Sequence, residues 1–446
     1  MGAGHSHSHG ADETPTRAPR EVRTVLGLAL IPFALAIVVG LVVLWPQPIT
    51  PGADAAANQT DLYDASVVSM HLLPCGTGMC QSVVVQPSQG PDAGKPFPLP
   101  SMSNGADVPT LDPGTGVVVS RFQNPDDGTV SYNFADLQRT APLGFLALLF
   151  AVVVVAVARL RGLAALGGLI VAYFVIVRFL LPALLDGKSP TIVALVAAGA
   201  IMFVVLYLAH GVNARTTTAL LGTLVSLVLT GVLAQIFVSA TALSGLTSDE
   251  ATYVKSVIGQ VDLRGVLLAG VIIGGLGALN DATVTQASAV WEIHGANPGR
   301  GVAALYRSGM RVGRDHIAST VYTLVLAYAG SSLPLLIVFS LASQPLSRIL
   351  TGDIVAEEIV RTLVGSIGLV LSVPLTTLIA AAVVTRSHGE PPSEVAQLEP
   401  ELDPDPDPEP EPEPDPAPVP EAEPVLEPTP RQWQVPKHER EFWSDE

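Results

Sequence analysis

The chain has 446 residues, of which 49% are hydrophobic and only 14% charged, against about 25% charged in ordinary soluble domains. That balance excludes a typical soluble enzyme. The net charge of −17 implies no basic partner, because most of it sits in a Pro/Asp/Glu tract at 390–446. No basic stripe interleaved with aromatics marks a nucleic-acid binder.

In chain order, residues 1–23 form a polar leader containing His5, His7 and His9. Alternate histidines can chelate a divalent ion, but a free cytoplasmic tail is the simpler reading, and no metal site is assigned. The first apolar run, 24–45, is long enough to cross a bilayer, which takes about 20 residues. It is too long for a signal-peptide core and lacks a clean small-residue cleavage site after it.

Residues 46–140 read as a single extracytoplasmic β-rich domain. Short strand-like pieces at 65–72, 82–86, 116–122 and 129–134 are separated by Gly, Pro, Asn and Asp turn signals. A small barrel or sandwich would accommodate them. Its Cys75 and Cys80 are the chain's two cysteines. Outside the cell they can form a disulfide or remain as two loop thiols. The spacing matches neither Cys-x-x-Cys nor a zinc pattern.

Seven further apolar runs follow, at 141–158, 162–181, 190–209, 216–240, 265 to beyond 279, 317–341 and 359–384. The fold class is therefore a mainly α membrane protein, with about eight transmembrane helices and a small extracytoplasmic β domain after the first. The core is 141–388. The loop 241–261 should carry an amphipathic turn or helix. Arginines concentrate in the segments that are inside if the N-terminus is cytoplasmic, including Arg159, Arg161, Arg215, Arg300, Arg307, Arg311, Arg314 and Arg386. Eight crossings return the tail, 389–446, to the cytoplasm. Its Asp-Pro and Glu-Pro repeats should leave it extended and disordered, ending in Trp433, Phe442 and Trp443 as a docking peptide or a free end.

The chemistry-bearing stretch is Gly274-Gly275-Leu276-Gly277-Ala278-Leu279-Asn280-Asp281-Ala282-Thr283 and its continuation. A carboxylate beside hydrocarbon is costly and marks a functional site by default. If the helix continues, Asp281, Thr285, Ser288 and Glu292 share one face, with Asn280 beside them. Gly270, Gly274 and Gly277 should form a close-packed seam, turning that stripe into the interior. On the next helix Arg311, Arg314 and Asp315 would answer it, with Asp281 pairing to Arg311 or Arg314 or sharing a network with Asp315. Two other readings stand beside this proton or substrate network. Asn280 and Asp281 could cap a following helix near the inner interface, or the cluster could hold a metal.

The segments 277–292 and 311–330, the latter Arg-Val-Gly-Arg-Asp-His-Ile-Ala-Ser-Thr-Val-Tyr-Thr-Leu-Val-Leu-Ala-Tyr-Ala-Gly, resemble the hallmark of the YibE/F family of bacterial multi-pass membrane proteins. The likeness runs over roughly 22–388. Leu279-Asn280-Asp281-Ala282-Thr283-Val284 is also similar to a run in SecF, a member of the resistance-nodulation-division permease group. In those proteins the matching Asp works with an arginine of the next helix in proton-driven motion. Here an ungapped comparison puts Asp315 at that place, with Arg314 immediately before it.

These likenesses imply a bacterial inner-membrane transporter or export-related permease, proton-coupled, acting on a small molecule or ion. The alternative is a membrane scaffold or sensor, binding an envelope ligand outside and a protein partner through its acidic tail. Self-association is compatible with either. No nucleophile–base set, Walker loop or cofactor motif suggests an enzyme.

Overall fold

A computed structural model of the chain describes residues 20–47, 61–75, 78–103, 109–124, 128–257, 261–341 and 345–386. The leader histidines and the acidic tail lie outside the described residues. The chain is mostly helical, with one antiparallel sheet near the N-terminus. Helix α1 (Arg20–Val43) precedes strands β1 (Asp61–Cys75), β2 (Gly78–Pro87), β3 (Phe97–Pro98), β4 (Met102–Ser103), β5 (Gly116–Gln123) and β6 (Val130–Leu137). After them come α2 (Thr140–Val175), a π-helical turn (Ile176–Leu180) and α3 (Leu181–Leu185). The helices that follow are α4 (Pro190–His210), α5 (Ala214–Ala240), α6 (Asp249–Val257), α7 (Leu263–Gly274) and α8 (Leu276–Ala296). The last four are α9 (Val302–Ser331), α10 (Leu333–Leu341), α11 (Leu346–Leu350) and α12 (Asp353–Val384).

The expected strand pieces fall in β1, β2, β5 and β6, the last starting one residue later than expected, but among the described residues they form neither a barrel nor a sandwich. They make one sheet in the order β3-β2-β1-β5-β6, with β4 on β2. Alternation explains it: Ala65, Val67, Val83, Val85, Val117 and Val119 are buried on one face. The crossing segment 109–111 covers that face, pinned by Gln81, whose side chain is bonded to Pro109 O and Leu111 N. A one-sided core therefore needs no second sheet. Cys75 and Cys80 are joined by a disulfide at the β1–β2 hairpin.

Among the described residues, six helices are long and apolar enough to span a membrane, or seven if the bent pair α9–α10 counts as one. One of the six, Thr140–Leu185, is 46 residues long and breaks at Arg159, whose φ is 55°. Beyond that break, a Cβ on Gly162 would sit 2.5 Å from the Val154 carbonyl oxygen. In a straight helix these positions are two turns apart, so the chain doubles back here.

Local chemistry sets several helix ends. Pro190 stands in the first turn of α4, and Gly211, at φ 73°, terminates it. Asn213 caps α5 and Asp262 caps α7 through their side chains. The expected loop helix is α6. The final helix starts at Asp353, six residues before the apolar run at 359, so Glu357 and Arg361 lie on the helix.

Several contacts define the end of the bundle that carries the sheet. Gln47 N bonds to the Asp186 carboxylate, Gly245 packs on the Leu263 backbone, Gly265 on Pro190, and Ser244 bonds to Asp353.

Candidate functional site

Helices α7 and α8 form one 34-residue span interrupted only at Gly275. Asn280 and Asp281 lie inside α8, and the N-cap residue is Gly275, which offers no side-chain cap. The capping reading is thereby overturned. Asp281, Thr285 and Glu292 do share a face with Ser288, but that face is the exposed one of the chain, with Ser288 half-buried. The interior expectation fails because the buried stripe is offset around the helix. It consists of Leu276, Leu279, Ala282, Thr283, Gln286, Ala287, Val290 and His294.

The glycines expected to form the close seam do not form it. Gly270 and Gly277 have open space where a Cβ would stand, and Gly274 meets only the Tyr328 hydroxyl at 3.4 Å. Close approach comes from α9 instead. A Cβ at Gly309 would meet Thr377 at 2.8 Å, and one at Gly313 would meet Val373 at 2.5 Å and Gln286 at 3.1 Å. Gly309 and Gly313 are one helical turn apart, the small-residue spacing that lets membrane helices touch. The same logic brings α5 to α12, where Gly222 faces Thr376 and Gly368 faces Thr230.

The buried polar groups meet at these crossings. Gln286, 1% exposed, donates through Nε2 to Gly309 O at 2.9 Å and to Thr377 Oγ1 at 2.7 Å. The Thr377 hydroxyl in turn donates to Val373 O. Thr223 of α5 and Thr283 of α8 bond hydroxyl to hydroxyl at 2.6 Å. Ser226, Ser366 and Thr376 are buried too, and their hydroxyl oxygens have no hydrogen-bond partner among the described residues. A carbonyl is freed as well, because Pro374 within α12 removes a backbone donor. Burying such groups without partners is unfavourable, so a packed helix bundle needs a reason to keep them.

The charged candidates are arranged differently. The basic group within ion-pairing reach of Asp281, among the described residues, is neither Arg311 nor Arg314 but His316, with Nε2 3.9 Å from the carboxylate. Helical periodicity pairs α8 with α9, but the facing residue is His316, two positions after Arg314. The Asp281 side chain is 69% exposed and that of His316 24%. Arg311, Arg314 and Asp315 are exposed on α9. Glu292 is engaged elsewhere, in an ion pair with Arg215 of α5 at 2.8 Å.

A second constellation lies at the sheet end, where sequence reasoning marked no site. Glu357 and Arg361 are one helical turn apart on α12 and pair at 2.9 Å. The other Glu357 oxygen accepts from the Thr247 hydroxyl at 2.6 Å. Glu358 stands 3.8 Å from the same guanidinium. All three charged residues line a cavity of 710 Å³. Its walls are apolar, from Leu184 of α3, Leu267 of α7, Leu335 of α10 and Ile354 of α12. It abuts the 63° bend between α9 and α10 through Ser331 and Ser332. The i,i+4 Glu–Arg spacing was a readable signal, but placing the helix start at 359 split it between loop and span.

No curated protein and no solved structure matches the chain. The family model for YibE/F-like protein matches residues 146–386. That is more than half of the 446 residues, though narrower than the likeness drawn from sequence, since α1 and the sheet fall outside it. The matched segment holds both the Asp281–His316 pair and the Glu357 cavity, and the chain belongs to the YibE/F-like family of membrane proteins.

Proposed function

We propose that the chain is a multi-pass permease of the bacterial inner membrane, not an enzyme, which moves a small solute or ion and uses Asp281 and His316 to exchange protons. The observation that carries this reading is the set of buried polar side chains spaced along the length of α12. Glu357, paired with the half-buried Arg361, stands near one end, Ser366 and Ser372 follow on different sides of the helix, and Thr376 and Thr377 stand nearer the other end. From 357 to 377 a helix rises about 30 Å, the hydrocarbon thickness of a bilayer. Intramembrane polar groups of this kind commonly mark substrate and proton pathways.

Eight crossings follow from counting the bent pair as one span and dividing Thr140–Leu185 at Arg159. Unbroken, that segment would rise about 69 Å, more than twice the bilayer core. The arginine distribution supports both termini in the cytoplasm and the sheet outside. The likeness of 279–284 to the SecF run supports proton coupling through Asp281. His316 gives the carboxylate a partner that is charged only when protonated.

The test is proton flux into proteoliposomes under an imposed potential, read with an entrapped pH dye. The wild-type chain should conduct protons above empty vesicles, and Asp281→Asn should abolish the flux with reconstitution unchanged. Equal flux in the variant, or none above empty vesicles in the wild type, would remove the proton-coupled permease.

A further inference from the structure

The cavity at the sheet end has a charge balance that selects among ligands. Among the described residues, its titratable lining groups are Glu357, Glu358 and Arg361. Both oxygens of Glu357 are occupied, one by Thr247 and the other by Arg361. The guanidinium is thus committed to Glu357 at 2.9 Å and reaches Glu358 only at 3.8 Å. Two carboxylates share one cation, and Glu358, with its side chain 32% exposed, carries the surplus.

The remaining surface is mostly apolar. Leu181, Leu185, Val254, Val266 and Leu335 face a volume within the range that suits small organic ligands, about 300–1,000 Å³. An anion would raise the unbalanced charge among groups already partly removed from water. A neutral solute would leave it as it is, whereas a single positive charge cancels it.

We infer that this cavity binds a monocationic amphiphile: an ammonium head set beside Glu358, with an alkyl or aryl body against the leucine and valine wall. The Ser331 and Ser332 positions place the ligand body against the α9–α10 bend. The Nε–H of Arg361, buried without a hydrogen-bond partner, can donate to an oxygen near the head. The inference rests on the permease reading for its role as substrate, while occupancy of the cavity stands on its own measurement.

That measurement is calorimetric titration of the full chain in lipid nanodiscs, with empty nanodiscs subtracted, using octylammonium, octanol and octanoate as probes of one chain length. Octylammonium should show saturable binding, octanol weaker binding, and octanoate none. Glu358→Gln, a change at a partly exposed position, should weaken octylammonium about tenfold, as the loss of one charge contact of ~1.4 kcal/mol does. Val266→Trp should fill the cavity and remove the saturable component for both octylammonium and octanol. Octanoate binding as tightly as octylammonium, an unchanged Glu358→Gln variant, or no saturable octylammonium binding would each overturn the assignment. Binding as expected with no proton flux would keep the site and discard the permease. Flux without binding would do the reverse.

Discussion

On one face of α8, Thr283 and Gln286 are buried, uncharged and hydrogen-bonded to α5, α9 and α12. On the other, Asp281, Thr285 and Glu292 are exposed, and the two carboxylates find a histidine and an arginine on neighbouring helices. The contrast follows from desolvation. An amide or hydroxyl can be buried once its hydrogen bonds are met, whereas a carboxylate keeps a large penalty even when paired. Polarity alone thus does not locate the interior of a membrane helix. On α8 the neutral polar residues mark the packing, and the charged ones mark the surface where neighbouring helices meet them.

If the buried face carries the packing, the largest effect should come from Gly313→Leu. Its side chain would enter the space held by Val373 and Gln286, costing about 3 kcal/mol by overpacking. The check is thermal unfolding in detergent, and an unshifted midpoint would detach α9 from the core. Gln286→Ala should follow at about 2 kcal/mol, for two lost hydrogen bonds and the gap beneath Gly309 and Gly313. Asp281→Asn on the exposed face should change stability by less than about 0.5 kcal/mol. A loss comparable to that of Gln286→Ala would reverse the two faces.

The smallest effect concerns the sheet. The Arg121 guanidinium bonded to Asp92 holds that carboxyl below the ordinary carboxylate range, against the opposing pull of burial, with the Tyr132 hydroxyl helping. A depressed folded-state pKa contributes stability that is complete above the unfolded value and disappears as pH falls through the folded one. Acid titration of the sheet's unfolding should therefore show a loss below the ordinary carboxylate range that is smaller in Asp92→Asn, the remainder coming from Asp136, which Arg139 and the Leu137 N–H also hold low.

Much of this fold was readable because bilayer-length apolar runs and period-2 valine alternation are strong signals. The strands at 65–72 and 116–122 lie within observed strands, and the spans at 190–209 and 216–240 agree with α4 and α5 to within two residues. Facing directions were harder. Helical spacing placed Asp281, Thr285 and Glu292 on one side of α8 correctly, yet spacing says nothing about which side meets a neighbour. Gly309 and Gly313, the residues that settle it, read as ordinary glycines among arginines. Glu357 and Arg361 escaped notice because hydropathy ends a span where charges begin, whereas the helix continues for another turn and a half to Asp353.

The central claim is that the buried polar side chains of α12 are reached by water-soluble molecules during the working cycle. It is tested most directly in a chain with Cys75 and Cys80 replaced by serine, bearing single cysteines at Ser366 or Thr376, with Leu363 as control. In proteoliposomes a membrane-impermeant maleimide should label both positions and leave Leu363, 54% exposed on the helix exterior, unmodified. Labelling at neither Ser366 nor Thr376 from either side would make these buried hydroxyl positions dry packing contacts and contradict the permease.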